Sequence, residues 1–235
     1  MKPIAIFRHT HTEGPGYFAE FLDERGIPWQ LICIDAGDAV PDSISKFSGL
    51  VFMGGPMSVN DDLPWIPPVL ALIRDAVARD IPVLGHCLGG QLISKALGGT
   101  VTRNPIKELG WGEATVSDND TARAWFGDTH AFETFHWHGE TFSLPQGAIP
   151  LLSSAHCTNQ AFALGKHLAL QCHVEMTAEM IRNWCEVGAD EIAAASTSPG
   201  VQSASIMQAQ MADKLPQLYA VARQLYQYWI AGLVD

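Results

Sequence analysis

The sequence predicts an α/β protein with a mostly parallel central sheet and helices on both faces. Short apolar runs alternate with longer amphipathic stretches in the N-terminal part of the chain, as they do in consecutive β-α units. Two of these apolar runs end at glycine or cysteine, where the carboxyl edge of a parallel sheet gathers functional groups. The length of 235 residues allows one sizeable core.

The N-terminal part of the chain contributes four predicted strands and three predicted helices. The strands span Ile4–Phe7, Gln30–Ile34, Leu50–Met53 and Pro82–Leu84. The helices span Tyr17–Arg25, Ile66–Arg79 and Cys87–Leu97. Because a helix separates most successive strands, we expect these strands to pair in parallel.

A second part of the chain, from Thr100 to Val174, has shorter strands separated by turns. The predicted strands are Glu113–Val116, Thr134–Trp137, Ala161–Leu164 and the buried run His167–Val174. Polar and glycine-containing turns between short strands indicate hairpins. We therefore expect a small antiparallel extension that returns the chain to the main sheet.

Helical patterns return after Glu175. Ala178–Val187 is predicted as one helix, 196–200 as a loop and Ala204–Ala231 as one long helix. The long helix has an apolar stripe that packs either on its own domain or on a partner. We predict a domain over residues 1–190, with a C-terminal helical extension over residues 191–235 packed on it.

Composition argues against several classes of protein. Hydrophobic residues make up 47% of the chain, charged residues 17%, and the formal net charge is −11. Such an acidic chain is a poor partner for nucleic acid or an anionic membrane. There is no apolar run of roughly 18 residues and no secretion signal, so we expect a cytoplasmic protein. Five widely spaced cysteines fit reduced thiols.

Cys87 stands at a predicted strand-to-helix turn. Gly85, Gly89 and Gly90 leave room for a sharp change of direction. A thiol at a helix N-terminus meets free N–H groups and the positive end of the helix dipole, which favour the thiolate. The pattern predicts a nucleophile, although the same sequence also fits a cysteine that is simply a small, buried hydrophobic residue.

A candidate base lies at the end of the run His167–Val174. Residues two apart in an extended chain point to the same side, so Glu175 can bind the imidazole of His173. Alone, the pair also fits a structural histidine beside a solvated glutamate. Together with Cys87 it predicts a nucleophile, a base and an orienting group. Cys172 faces the other way and is predicted to be core.

Three segments together resemble the class I (triad) glutamine amidotransferase family. Gly85–Gln91 matches G-x-C-x-G-x-Q, His173-x-Glu175 resembles the later H-P-E, and Gly54–Ser58 is similar to the G-G-P-x-S turn of the GMP synthase glutaminase domain. The similarity extends from about Ile4 to Glu175 in family order. It implies a flavodoxin-like three-layer fold.

The resemblance also implies a role for each matching residue. Cys87 would attack the side-chain amide carbon of glutamine, while His173 would protonate the departing ammonia and later activate water. Glu175 would orient His173. Backbone N–H groups of Gly55 and Leu88 would stabilise the oxyanion. The residues implied to bind substrate are Gly54, Gln91, His138 and Gly139. A polar helix residue and a turn glycine explain Gln91 and Gly139 equally well.

Several features depart from the family or limit the function. Positions 172 and 174 carry Cys and Val where the family most often has Phe and Pro, so the chain near the base is less rigidly preset. Histidines pair at 9/11 and 136/138, but matching acidic or cysteine ligands are not evident, and we predict no metal. Nucleotide-binding glycine motifs are absent, and we predict no cofactor.

Three functions remain open from the sequence. The first is a glutaminase that releases glutamate and ammonia and delivers the ammonia to a separate acceptor synthase. The second is hydrolysis of γ-glutamyl peptides by the same three residues, without a partner. The third is a non-catalytic binding or regulatory protein, against which the intact Cys87, His173 and Glu175 argue.

Overall fold

The computed structural model describes residues 1–234. Within this range the strands are β1 (Ile4–Arg8), β2 (Trp29–Cys33), β3 (Gly49–Phe52), β4 (Val83–His86), β5 (Val101–Val116), β6 (Ala131–Phe142), β7 (Ile149–Ser154), β8 (Ala161–Leu164), β9 (His167–Leu170) and β10 (Gly200–Val201). The α-helices are α1 (Gly16–Glu24), α2 (Ile66–Ala78), α3 (Leu88–Ala96), α4 (Asp120–Phe126), α5 (Ala178–Val187), α6 (Ala189–Ala194), α7 (Ala204–Ala209) and α8 (Met211–Ile230).

One mixed sheet contains all ten of these strands. Its order is β10-β5-β7-β8-β9-β4-β3-β1-β2, with β6 paired to β5. The segment β9-β4-β3-β1-β2 is parallel throughout, whereas β5 to β9 are joined by antiparallel pairs. The predicted α/β class with a mostly parallel sheet is confirmed.

Apolar residues of the parallel strands divide between the two faces of the sheet. On one face, Phe18 of α1 meets Trp229 of α8 with ring centroids 5.9 Å apart. On the other face, Ile73 of α2 and Leu92 of α3 join a second core around Phe52. The alternation of side chains along each strand therefore supplies a core on both sides. This packing fixes the carboxyl ends of β1, β3 and β4, where the candidate site lies.

The antiparallel part is longer than the short predicted strands. Predicted runs Glu113–Val116 and Thr134–Trp137 lie inside β5 and β6, while β7 was missed. Within β5, Pro105 lies in a register shift between Arg103 and Glu108. Bulges accommodate such residues without ending a strand.

Other predicted boundaries also change. The run His167–Val174 ends as a strand at Leu170, and His173 forms only an isolated bridge with Phe135. The predicted helix Ala204–Ala231 is divided at Gln210 into α7 and α8. The predicted loop at 196–200 ends in β10, which pairs with β5.

Helix α4 was missed because it is short. Its N-terminus is capped by Asn119, whose side-chain oxygen accepts a hydrogen bond from Ala122 N at 2.8 Å. The predicted helix Ala178–Val187 matches α5. Among residues 1–234, no helix combines the length and apolarity needed to cross a bilayer.

Candidate active site

Cys87 lies between the end of β4 and the start of α3. Its backbone adopts φ 49° and ψ −107°, an unusual conformation for a residue with a side chain. The turn is tightly packed, since a methyl group added at Gly89 would overlap the carbonyl oxygen of Phe52. Cys87 is 7% exposed and lines a cavity. The predicted strand-to-helix turn therefore presents the thiol to that cavity.

His173 and Glu175 form a buried hydrogen-bonded pair. Nδ1 of His173 donates to Oε1 of Glu175 at 2.6 Å, and both residues are 1% exposed. Backbone bonds between His173 and Phe135 of β6 hold this segment beside the antiparallel extension. Trp184 packs edge-on against the imidazole, with centroids 4.8 Å apart. The contact predicted from an extended strand thus forms beyond the end of β9.

Charge interactions govern the protonation of this pair. Burial opposes protonation of His173, but its ionic interactions with Glu175 and Cys87 outweigh burial and raise the His173 pKa well above its usual value. Burial also opposes ionisation of Glu175, but the charges of His86 and His173 hold the Glu175 pKa below its usual value. The pair therefore favours an imidazolium beside a carboxylate.

The two candidate oxyanion residues are neighbours. A methyl group added at Gly55 would lie 2.8 Å from Cδ2 of Leu88. Leu88 begins α3, so its N–H has no acceptor within the helix. His9 supports the glycine turn, because its Nδ1 lies 3.0 Å from the carbonyl oxygen of Met53. Burial lowers the pKa of His9 to about 4, which leaves a neutral ring at this contact.

The residues expected to bind the amino-acid end of a substrate also gather near Cys87. Gln91, His138 and Gly139 line the cavity. Nε2 of Gln91 lies 3.4 Å from the carbonyl oxygen of Glu140 and 3.2 Å from Oε1 of Gln171. These contacts join α3 to β6 and to the segment that follows β9. By contrast, the predicted substrate residue Gly54 is buried beside the cavity and does not line it.

A buried polar network stands behind His138. Its Nε2 lies 3.0 Å from Oε2 of Glu108, which also accepts a hydrogen bond from Gln160 at 2.8 Å. Ser154 donates to the other Glu108 oxygen at 2.8 Å. The β5-β6 register creates this cluster by pairing Glu108 with His138. The network fixes the side chain of His138.

One group of three side chains in the described range could hold a metal. The ligand atoms of Glu108, His136 and His138 lie within 4.8 Å of one another. Glu108 is brought beside the two histidines only by the pairing of β5 with β6. The spacing of the histidines in the sequence therefore could not indicate it. Hydrogen bonds already engage Glu108 and His138 with each other. The absence of a metal remains a prediction.

The cavity has a volume of about 520 Å³. One wall comes from the β1-α1 loop and another from Trp137 of β6, while Trp184, Val187 and Glu191 contribute from α5 and α6. Trp137 donates from Nε1 to Glu191 at 2.8 Å, which connects two of these walls. The cavity thus lies at the carboxyl ends of β1, β3 and β4, as expected for a parallel sheet.

Glu13 is a cavity-lining acid that the sequence argument missed. Its carboxyl group packs over Gly54, where an added methyl group would overlap Oε2 and lie 3.3 Å from Cε1 of His173. Burial, together with the charges of Glu175 and Glu191, raises the Glu13 pKa to about 7, although His173 acts in the opposite direction. The sequence feature that could have indicated Glu13 is a single acidic residue in the loop after the first parallel strand.

The other cysteines provide a contrast with Cys87. All five cysteines are unpaired thiols. Cys172 has no exposed surface, and burial raises its pKa to about 12. A thiol in this environment is a poor nucleophile. The prediction that Cys172 belongs to the core is therefore supported by its burial.

Comparisons with known proteins identify related chains. Residues 19–183 match the family model described as glutamine amidotransferase class-I. A glutamine amidotransferase-like protein of Salmonella typhimurium, YfeJ, is 30% identical over 220 residues, which cover 88% of this chain and 91% of that protein. Gamma-glutamyl peptidase 3 of Arabidopsis thaliana is 30% identical over 179 residues, covering 71% of each chain.

A solved structure extends the likeness over the whole described fold. The crystal structure of a glutamine amido transferase from Methylobacillus flagellatus superposes with a TM-score of 0.97 at 46% identity. The superposition covers 100% of this chain and 96% of the other. The similarity therefore includes the antiparallel extension and the C-terminal helices as well as the parallel sheet.

Proposed function

This chain belongs to the class I glutamine amidotransferase family, and we propose that it hydrolyses the side-chain amide of glutamine through a thioester on Cys87. The observation that carries the proposal is the arrangement of Cys87 at the cavity with the buried His173–Glu175 pair, whose Nδ1···Oε1 distance is 2.6 Å. A nucleophile, a base and an orienting carboxylate are the parts required for acyl transfer.

Acylation begins when the Cys87 thiolate attacks the γ-amide carbon. The carbonyl oxygen becomes an oxyanion, which the N–H groups of Gly55 and Leu88 stabilise. His173 then transfers a proton from Nε2 to the amide nitrogen, the C–N bond breaks, and ammonia leaves. The raised pKa of His173 supports this step, because it keeps the transferable proton on the imidazole.

Deacylation reverses the proton transfer with water. The neutral His173 removes a proton from water, and the resulting hydroxide attacks the γ-glutamyl thioester. Collapse of the second tetrahedral intermediate releases glutamate and returns the thiolate of Cys87. Glu175 keeps the Nδ1 proton in place, so Nε2 remains the reactive nitrogen throughout.

We assign the amino-acid end of the substrate to Gln91, His138 and Gly139. These residues lie in the same cavity as Cys87, and the Glu108 network holds His138 in position. Gly54 does not line the cavity, and we propose that it contributes by shaping the glycine turn that carries Gly55. This assignment follows the family resemblance and the lining of the cavity.

Hydrolysis of γ-glutamyl peptides is a second candidate function. The cavity of about 520 Å³ is within the range that accommodates drug-sized ligands. It therefore has space for a leaving group larger than ammonia. The similarity to a protein named gamma-glutamyl peptidase 3 supports the same reading. The acyl-enzyme is identical in the two cases, and only the leaving amine differs.

Location and partners follow from the same proposal. We place the protein in the cytoplasm, where unpaired cysteines such as these five are maintained. If glutamine is the substrate, a separate ammonia-accepting synthase is the expected protein partner. Neither nucleic acid nor a membrane is required, and the proposed chemistry uses no cofactor.

Release of glutamate tests both candidates. The purified chain is incubated with L-glutamine or with a γ-glutamyl dipeptide, and a Cys87→Ala variant provides the blank. We expect release that disappears in the variant, and the preferred substrate distinguishes ammonia from a larger leaving amine. Equal release by Cys87→Ala would refute the proposed nucleophile.

A further inference from the structure

Glu13 occupies a position that the triad chemistry leaves unassigned. It is partly buried, lines the cavity and packs over Gly54 beside the edge of the His173 ring. We propose that Glu13 forms a leaving-group subsite, in which its carboxyl group accepts a hydrogen bond from the nitrogen released from the γ-amide. The ligand class is ammonia or a primary amine. This inference rests on the proposed function.

The surroundings of Cys87 indicate which part of a substrate Glu13 would meet. The oxyanion is assigned to the adjacent Gly55 and Leu88. The amino-acid end is assigned to Gln91 together with His138 and Gly139 of β6, and Gln91 contacts Glu140 of the same strand. The leaving nitrogen must lie toward His173, which supplies its proton. Glu13 adjoins this imidazole and is therefore placed beside the departing group.

The loop that carries Glu13 is tied to the base side of the site. Trp184, which packs on His173, donates from Nε1 to the carbonyl oxygen of Thr12 at 2.7 Å. The backbone N–H of Tyr17 donates to the carbonyl oxygen of Glu175 at 2.8 Å. These bonds bracket Glu13 on both sides. The backbone of the loop is thereby held beside His173 and Glu175 on both sides of Glu13.

The chemistry of the subsite requires no covalent step by Glu13. After His173 protonates the nitrogen and the C–N bond breaks, an N–H of the released amine donates to a Glu13 oxygen. A carboxyl group retains an accepting oxygen whether or not it is protonated. The Glu13 pKa of about 7 means that both states occur near neutral pH. An ionised Glu13 forms the stronger hydrogen bond.

Microscopic reversibility supplies the test. A subsite that holds a leaving amine also holds an amine that attacks the thioester. Hydroxylamine is therefore added during turnover of L-glutamine, and γ-glutamyl hydroxamate is measured against glutamate. Loss of a charged hydrogen bond predicts that Glu13→Ala lowers the hydroxamate-to-glutamate ratio by about tenfold. Glu13→Gln keeps a neutral acceptor and is expected to lower it by about threefold.

The ratio separates this subsite from a general structural role. Water and hydroxylamine attack the same acyl-enzyme, so a smaller folded fraction changes both products equally. Glu20→Ala, which removes an exposed carboxylate from α1, should leave the ratio unchanged. A Glu13→Ala ratio within about twofold of the wild-type value would overturn the subsite while leaving the proposed function intact. A wild-type chain that forms neither product from glutamine or a γ-glutamyl peptide would overturn both.

Discussion

The two sides of the candidate site are organised by different interactions. On the nucleophile side, Cys87 and the glycine turn are positioned by backbone shape, with Gly89 packed against the Phe52 carbonyl group. On the base side, the neighbouring residues His173 and Glu175 meet a third ionisable group, Glu13, from a distant part of the chain. The first side depends on close packing and the second on charge.

This difference teaches where each side is vulnerable. A change of volume without charge should damage the nucleophile side, because backbone atoms cannot move apart cheaply. A change of charge without volume should damage the base side, because buried ionisable groups respond strongly to their partners. Substitutions that alter only one property at a time can therefore separate the two sides.

Removal of the base is expected to have the largest effect among these substitutions. His173→Ala should lower kcat by about a thousandfold or more, because neither the leaving nitrogen nor water then exchanges a proton with the protein. Steady-state glutamate release measures the loss. His130→Ala, which changes an exposed histidine, is the matched control. An unchanged rate in His173→Ala would mean that another group is the base.

Gly89→Ala tests the packing side without changing charge. The added methyl group overlaps the carbonyl oxygen of Phe52, so the turn at Cys87 must shift. We expect a loss of about 3 kcal/mol in the free energy of unfolding and a fall of about a hundredfold in kcat/KM. Gly14→Ala, which adds a methyl group in open space, serves as the control for urea unfolding. Equal stability of the two variants would contradict this packing argument.

Glu175→Gln changes charge while preserving shape. The pKa of His173 should fall, because the charge of Glu175 helps to raise it. The alkaline limb of the pH profile of kcat/KM should therefore move to lower pH, with a rate loss of about ten- to a hundredfold. Glu186→Gln provides an exposed control on α5. An unshifted alkaline limb would rule out this electrostatic role.

Glu13→Gln should have the smallest effect of these four substitutions, and here it is measured through stability. A glutamate has a pKa of about 4.3 in an unfolded chain, whereas the folded-state pKa of Glu13 is about 7. Between these values the folded state binds more protons, so Glu13 lowers stability as pH rises, and its full cost is present above the folded pKa. This pKa difference corresponds to at most about 3–4 kcal/mol near pH 8. Because Glu13 is only partly buried, solvent screening should reduce the gain in stability of the variant over the wild type to about 1–2 kcal/mol.

The pH dependence of that difference is the decisive part of the measurement. Urea unfolding at a series of pH values should show the advantage of Glu13→Gln shrinking as the pH falls toward about 5. Glu20→Gln, an exposed substitution, should show no such trend. A constant difference across the series would mean that Glu13 ionises normally.

The parallel part of the fold could be predicted because its determinants are local. Apolar runs such as Leu50–Met53 and the turn at Cys87 carry their own structural signals. The full length of strands β5 and β6 could not be predicted, because Pro105 is accommodated only by a bulge that depends on strand pairing. The C-terminal break at Gln210 also gave no clear local signal. The division into residues 1–190 and 191–235 remains a prediction.

The same distinction applies to the candidate site. Cys87, His173 and Glu175 could be proposed from the sequence because each belongs to a short motif, and their roles remain a prediction. Glu13 became visible only when the β1-α1 loop was placed over Gly54. The Glu108–His138 contact likewise depends on the register of two strands. Distant ionisable groups therefore limit what a single sequence reveals about a site.

Direct detection of the acyl-enzyme is the strongest test of the account. The chain is quenched in acid during turnover of L-glutamine, and its peptides are mapped by mass spectrometry. We predict a hydroxylamine-sensitive glutamyl group on the peptide containing Cys87 and its absence from a Cys87→Ser variant that releases no glutamate. Continued glutamate release by Cys87→Ser, or a glutamyl group on Cys172, would contradict the proposed thioester.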